Sequence, residues 1–157
     1  MSPESIAELV RFAPDTYGFR YQNYVSLFIV TGEGVILADP IGQGNPRTPY
    51  LIKEAVHSLT DQPVRYVVYS HSAADHSTGG ALFADTAKFV GHRNAVDKMT
   101  SAKDPSSPPP DITFDREFAL ELGGRNVHLY SAISPTRLSC VPCARRAPVP
   151  GAVPERA

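Results

Sequence analysis

Cysteine is nearly absent from this chain of 157 residues, and the only two, Cys140 and Cys143, lie close to its C-terminal end. No disulfide framework can therefore tie the body of the fold together. An excess of one charge is missing as well, because 15 basic residues face 16 acidic ones for a formal net charge of −1. That balance supplies no field to gather nucleic acid or an anionic membrane, and leaves small molecules as the expected partners. No window reaches the roughly 18 uninterrupted apolar residues of a spanning helix, and the opening Met-Ser-Pro-Glu-Ser-Ile-Ala-Glu-Leu has no basic region running into an apolar one. A cytoplasmic location is the default expectation. The Gly-x-Ser-x-Gly elbow, the phosphate-binding glycine loop and the Rossmann fingerprint are absent too, which removes the commonest serine-hydrolase and nucleotide-binding readings.

What is present is the text of about one domain. Two apolar strands, Tyr24–Val30 and Val35–Asp39, are joined by Thr31-Gly-Glu-Gly34, whose glycines supply the positive φ of a tight hairpin. A helix over Pro49–Leu59 follows from the helical spacing of Leu51, Ile52, Ala55, Val56 and Leu59. The pattern then predicts a strand over Val64–Tyr69, a short helix over Gly79–Ala84, a strand over Lys88–Val90 and a helix over Asn94–Met99. Asp104-Pro-Ser-Ser-Pro-Pro-Pro110 must be loop, because proline removes the amide donor and constrains its neighbour. After Thr113-Phe-Asp, Glu117–Leu122 and Asn126–Tyr130 form a second hairpin through Gly123-Gly124. Strands alternating with helices indicate an α/β layer.

The chemistry concentrates in Tyr66-Val-Val-Tyr-Ser-His71-Ser-Ala-Ala-Asp75-His76-Ser-Thr-Gly79-Gly80, where an apolar strand runs into two imidazoles and a carboxylate. Nitrogen and oxygen donors in so short a span suit a divalent ion such as zinc, which binds them at roughly 2.0–2.2 Å. A polar loop whose histidines merely pair with backbone and carboxylate is the blander reading. The local residues alone leave both readings open.

This run resembles the first signature of the metallo-β-lactamase superfamily, His-x-His-x-Asp-His followed by Gly-Gly. His71, Asp75 and His76 match it, and Ala73 stands where the signature has its second histidine. The resemblance covers the strand pair, Asp39, the following helix, the motif and the glycines, within residues 1–130. It implies an α/β fold, the N-terminal half of an αββα sandwich with a mainly antiparallel or mixed sheet. It also implies a zinc-dependent hydrolase with one or two ions. Carried over residue by residue, His71 belongs to the family's first metal site, Asp75 and His76 belong to the second, and Asp75 is the catalytic carboxylate. Asp39 resembles the family aspartate that orients a ligand histidine, its alternative being a strand-terminal turn cap.

The family's remaining ligands come from a C-terminal half that this chain is too short to build. Hydrolysis by the chain itself is accordingly expected to be weak or absent, and the rival reading is a non-catalytic remnant or binding module that keeps the fold. The sheet face that would meet the missing half is expected to be exposed, with self-association through it. His57, His92 and His128 read as structural, with His92 the nearest substitute ligand because it follows a strand. Residues 131–157 hold five prolines, four arginines, both cysteines and one acidic residue without apolar periodicity, and read as a disordered tail, as after a change of reading frame. Cys140-Val-Pro-Cys143 has metal or redox spacing, but a lone pair in such a tail reads as chance.

Overall fold

The computed structural model describes residues 7–42, 44–133 and 138–146, with side chains described through residue 131. It opens on a hairpin that the sequence reading does not contain, β1 (Ala7–Ala13) and β2 (Thr16–Tyr21). β1 is the sheet edge and leaves Leu9 and Phe12 exposed, so it lacks the in-out alternation by which a strand is recognised. The expected hairpin follows as β3 (Tyr24–Thr31) and β4 (Gly34–Ala38). Its turn is fastened by Thr31, whose hydroxyl donates to the Gly34 carbonyl at 2.8 Å and accepts from the Glu33 amide at 3.2 Å.

Helix α1 (Thr48–His57) begins with Pro49 in its first turn, where the missing amide has no helical acceptor to lose. Ile52 and Val56, one turn apart, make its buried face. The chain returns as β5 (Val64–Val68), passes through the four-residue helix α2 (Ala74–Ser77) and a 3-10 turn (Gly80–Phe83), and forms β6 (Lys88–His92). Helix α3 (Arg93–Ala102), the proline-rich loop and β7 (Ile112–Phe114) complete one sheet.

That sheet has seven strands in sequence order, antiparallel from β1 to β4 and parallel from β4 to β7. A smaller antiparallel sheet of three strands is built from β8 (Glu117–Leu122), β9 (Arg125–Ile133) and β10 (Leu138–Arg146), with β9 in the middle. Two apolar clusters sort the layers. On one face of the large sheet Phe28, Leu37 and Val67 pack with Ile52 and Val56 of α1, Phe83, and Ala95 and Met99 of α3. On the other, Ile29, Ile36, Val68 and Val90 pack against Leu120, Val127 and Leu129 of the small sheet. The order is helices, sheet, sheet. Each fully buried aliphatic side chain in these clusters contributes about 1.5–3 kcal/mol.

Two expectations are corrected here. The second face of the large sheet is not left bare, because the β8–β9 hairpin covers it: Ile36 is 4% exposed, Val68 2% and Val90 0%. The tail expected to be disordered from residue 131 carries strand through Ile133 and again over Leu138–Arg146, paired with β9 in a register that sets Cys140 opposite Ser131 and Cys143 opposite His128. Backbone pairing along an existing strand needs no apolar periodicity, which is why the composition did not show it. The remainder of the tail, residues 134–137 and 147–157, lies outside the described residues.

Candidate metal centre

β4 and β5 are parallel neighbours, so their C-terminal ends open on the same edge of the sheet. Asp39, one residue past β4, donates its amide to the Val68 carbonyl at 3.0 Å and so lies beside the residues that leave β5. It takes a left-handed φ of 55°, a region in which aspartate is among the better tolerated residues after glycine. Beyond β5 the chain bends at Ser70 and Ser72, is extended at Ala73 (φ −72°, ψ 141°) and then makes the single turn of α2, which presents Asp75 and His76. The adjacent chain holds that turn, the Ile41 amide donating to the His76 carbonyl at 3.1 Å and the Gly42 amide to the Thr78 carbonyl at 2.7 Å.

His71, Asp75 and His76 come together. One ligand atom of each lies within 4.8 Å of the others, and the two imidazole rings are 4.1 Å apart between centroids. His76 Nε2 is 3.7 Å from Asp75 Oδ2. Tetrahedral bonds of roughly 2.0–2.2 Å place ligand atoms about 3.4 Å apart, so this pair is near the spacing that an ion requires. All three residues are half-buried. The donor set, two imidazoles and a carboxylate with a second carboxylate behind, fits a divalent cation such as zinc.

That second carboxylate is Asp39, itself 7% exposed. Its Oδ2 is 2.9 Å from His76 Nδ1 and 2.5 Å from Ser70 Oγ, while Oδ1 accepts the Ser70 amide at 2.8 Å. Ser70 Oγ is in turn 2.8 Å from His71 Nδ1. A carboxylate only accepts, so the network assigns a proton to Nδ1 of His76 and, through the serine hydroxyl, to Nδ1 of His71. One buried aspartate thereby gives both rings the tautomer whose Nε2 lone pair can serve a metal. Tyr24, at the start of β3, places its hydroxyl 3.4 Å from Asp75 Oδ2 and its ring edge-on to His76 at 5.7 Å. Just behind the centre, burial first and the Asp39 charge second hold the Tyr69 phenol protonated well above the ordinary tyrosine range.

Ser70 and Tyr24 are the members of this arrangement that sequence reasoning missed. Ser70 had a signal, since it directly precedes the first ligand at the strand end. Tyr24 had none, because 51 residues separate it from Asp75 and only the sheet register brings them together. His92 is not brought to the centre: it caps α3 by accepting the Asn94 amide at Nδ1, and Nε2 lies 2.8 Å from the Asp115 carbonyl. His57 lies on the exposed side of α1 near Asp61, and His128 stacks on Tyr130 in the small sheet.

The fold has known counterparts. Solved structures that this chain resembles include a metallo-β-lactamase of Elizabethkingia meningoseptica (TM-score 0.69, 24% identity, covering 85% of this chain and 54% of that one) and one of Pontibacter korlensis (0.62, 23%, 80% and 60%). A stereoselective inverting sec-alkylsulfatase of a Pseudomonas species is similar over 80% of this chain and 27% of its own (0.65, 15%). At these identities the likeness is one of fold, and the chain spans little more than half the length of the two lactamases. No curated protein sequence matches it. The model of the metallo-beta-lactamase superfamily matches residues 20–149, most of the sequence and all of the candidate centre, and the chain belongs to that superfamily.

Proposed function

We propose that this chain holds a single divalent ion, zinc being the expected one, through His71, His76 and an Asp75 carboxylate oxygen, in a centre of the hydrolytic kind. The observation that carries the reading is the convergence of the three donors within 4.8 Å, with Asp39 behind both rings. Such an ion polarises a substrate oxygen and lowers the pKa of nearby water to about 7. The residues do the rest: Asp39 fixes the imidazole tautomers, Ser70 relays that hold to His71, and Tyr24 lies against Asp75, which is both ligand and the catalytic carboxylate. The substrate is a small molecule with a hydrolysable bond, and the fold does not choose among the bond types that such centres attack. Among the described residues no helix is long and apolar enough to cross a membrane, and the cytoplasm is the proposed site of action.

Ala73 favours a second reading, a binding module without turnover. It leaves the centre one imidazole short of the family signature, and an ion held by fewer ligands than the signature provides loses some of the geometric control that aligns water with substrate. Slow hydrolysis by this chain is therefore the proposal. Zinc competition against a chelating dye, with His71→Ala and Asp75→Ala beside the wild type, tests the site, and an ester and lactone panel tests turnover. Loss of binding in both variants supports the centre, and equal binding in all three chains contradicts it.

A further inference from the structure

Helix α2 is a single turn of four residues without a side-chain cap. A turn so short does not sustain itself, because nucleation fixes several dihedrals in return for one hydrogen bond. The orientation of Asp75 and His76 is therefore set by what touches the turn from outside. The 41–42 backbone holds one side of it. The other side meets Asp104–Ser107, in the loop that follows α3.

Asp104 shapes this loop from within. Its Oδ1 accepts the Ser106 amide at 2.9 Å and the Ser106 hydroxyl at 2.7 Å, and its backbone carbonyl accepts the Ser107 amide at 3.1 Å. The Ser106 hydroxyl and then its amide hold the Asp104 carboxyl below the ordinary aspartate range. Ser107 faces inward and is 5% exposed, with its hydroxyl 3.2 Å from Asp104 Oδ2, 3.3 Å from Ser77 Oγ and 3.4 Å from Thr78 Oγ1. Ser77, 1% exposed, follows His76 directly and returns its hydroxyl to the Ala73 carbonyl at 3.2 Å. The Ser106 carbonyl meanwhile accepts the Gly79 amide at 2.9 Å and the Ala81 amide at 3.2 Å, which fixes the exit from the turn.

We propose that Asp104 and Ser107 are positioning residues for the metal centre: the loop clasps the turn that carries Asp75 and His76 through the buried hydroxyls of Ser107 and Ser77. The inference rests on the metal reading of His71, Asp75 and His76. Neither Asp104 nor Ser107 supplies a ligand. Hydrogen-bonded partners behind metal ligands are typically worth about 10- to 100-fold in affinity, and loss of this clasp is expected at the lower end because it acts through the backbone.

Cobalt(II) binding to the whole chain, followed by its visible ligand-field spectrum, tests this. Ser107→Ala and Asp104→Asn are each expected to bind cobalt about tenfold more weakly and to give an altered spectrum at saturation. Asp115→Asn, at an exposed ion pair with Arg93, is expected to match the wild type. A variant that is only less stable would still show the wild-type spectrum once saturated. Should Ser107→Ala not fold, Asp104→Asn carries the comparison. Wild-type affinity and spectrum in the folded variants would overturn the inference alone. A wild-type chain whose cobalt spectrum is absent, or survives Asp75→Ala, would overturn the metal reading and the inference with it.

Discussion

Replacing Asp39 by asparagine changes almost no volume, yet it should strike the centre hard. Asp39 accepts three hydrogen bonds, from the Ser70 amide at 2.8 Å, the Ser70 hydroxyl at 2.5 Å and His76 Nδ1 at 2.9 Å. Asparagine offers one acceptor oxygen and one donor NH2 group. If the oxygen stays on the Ser70 amide, the NH2 faces His76 Nδ1, and the ring must move its proton to Nε2, where it blocks the metal. If the amide flips, NH2 opposes the Ser70 amide, and two donors confront each other in a site where residue 39 is 7% exposed. The first arrangement satisfies every donor but gives up the metal-binding tautomer, and the second leaves one buried donor unsatisfied, at a cost of about 1–3 kcal/mol in stability. Zinc affinity should fall about 10- to 100-fold. Competition with a chelating dye reads the affinity, and long-range nitrogen–proton correlation spectra of the imidazoles read the tautomer. Wild-type zinc affinity in a folded Asp39→Asn chain, with His76 still protonated at Nδ1, would refute the reasoning.

Further outcomes follow from the same geometry. Ala73→His returns an imidazole to the extended residue just before α2 and should tighten zinc roughly tenfold or more, about 1.4 kcal/mol, by dye competition; an unchanged affinity would count against a native-like centre. Gly79→Ala puts a Cβ 2.2 Å from Pro49 Cγ at a φ of 94°, and should cost roughly 2–4 kcal/mol, read as a lower urea midpoint; a midpoint equal to wild type would contradict it. Asp104 is held below its ordinary pKa by Ser106, so its contribution is complete above the unfolded value of about 3.9 and fades as pH falls through the lower folded value. Asp104→Asn should therefore be less stable than wild type at neutral pH and converge with it below about pH 4, and a gap that persists undiminished in acid would be inconsistent with that carboxylate's role.

Local sequence was enough to single out the three donors that the structure brings together, because His71, Asp75 and His76 fall within one strand end and one turn. It was also enough for Asp39, whose strand ends in an aspartate on the same edge. What it could not convey was contact across sequence distance. Tyr24 reaches Asp75 only through the order of β3, β4 and β5, and Ser107 reaches Ser77 only because the loop after α3 folds back across the sheet edge. The prolines of that loop announced irregular backbone correctly but concealed its hydrogen bonds. The β8–β9 hairpin was read as a hairpin, whereas its role as cover for Ile36, Val68 and Val90 depends on where it packs. β1 and β10 went unread for a shared reason: each is an outer strand of its sheet, held by backbone pairing to one neighbour.

The central claim is that one ion is held by two imidazoles and a carboxylate, and X-ray absorption at the zinc edge of the zinc-loaded, purified chain tests it most directly. The account predicts one zinc per chain, with nitrogen and oxygen neighbours at roughly 2.0–2.2 Å, two of them showing the multiple scattering of imidazole, and loss of that signal in His76→Ala. Sulfur neighbours at about 2.3 Å would assign the ion to Cys140 and Cys143 instead, and a chain that takes up no zinc would contradict the account outright.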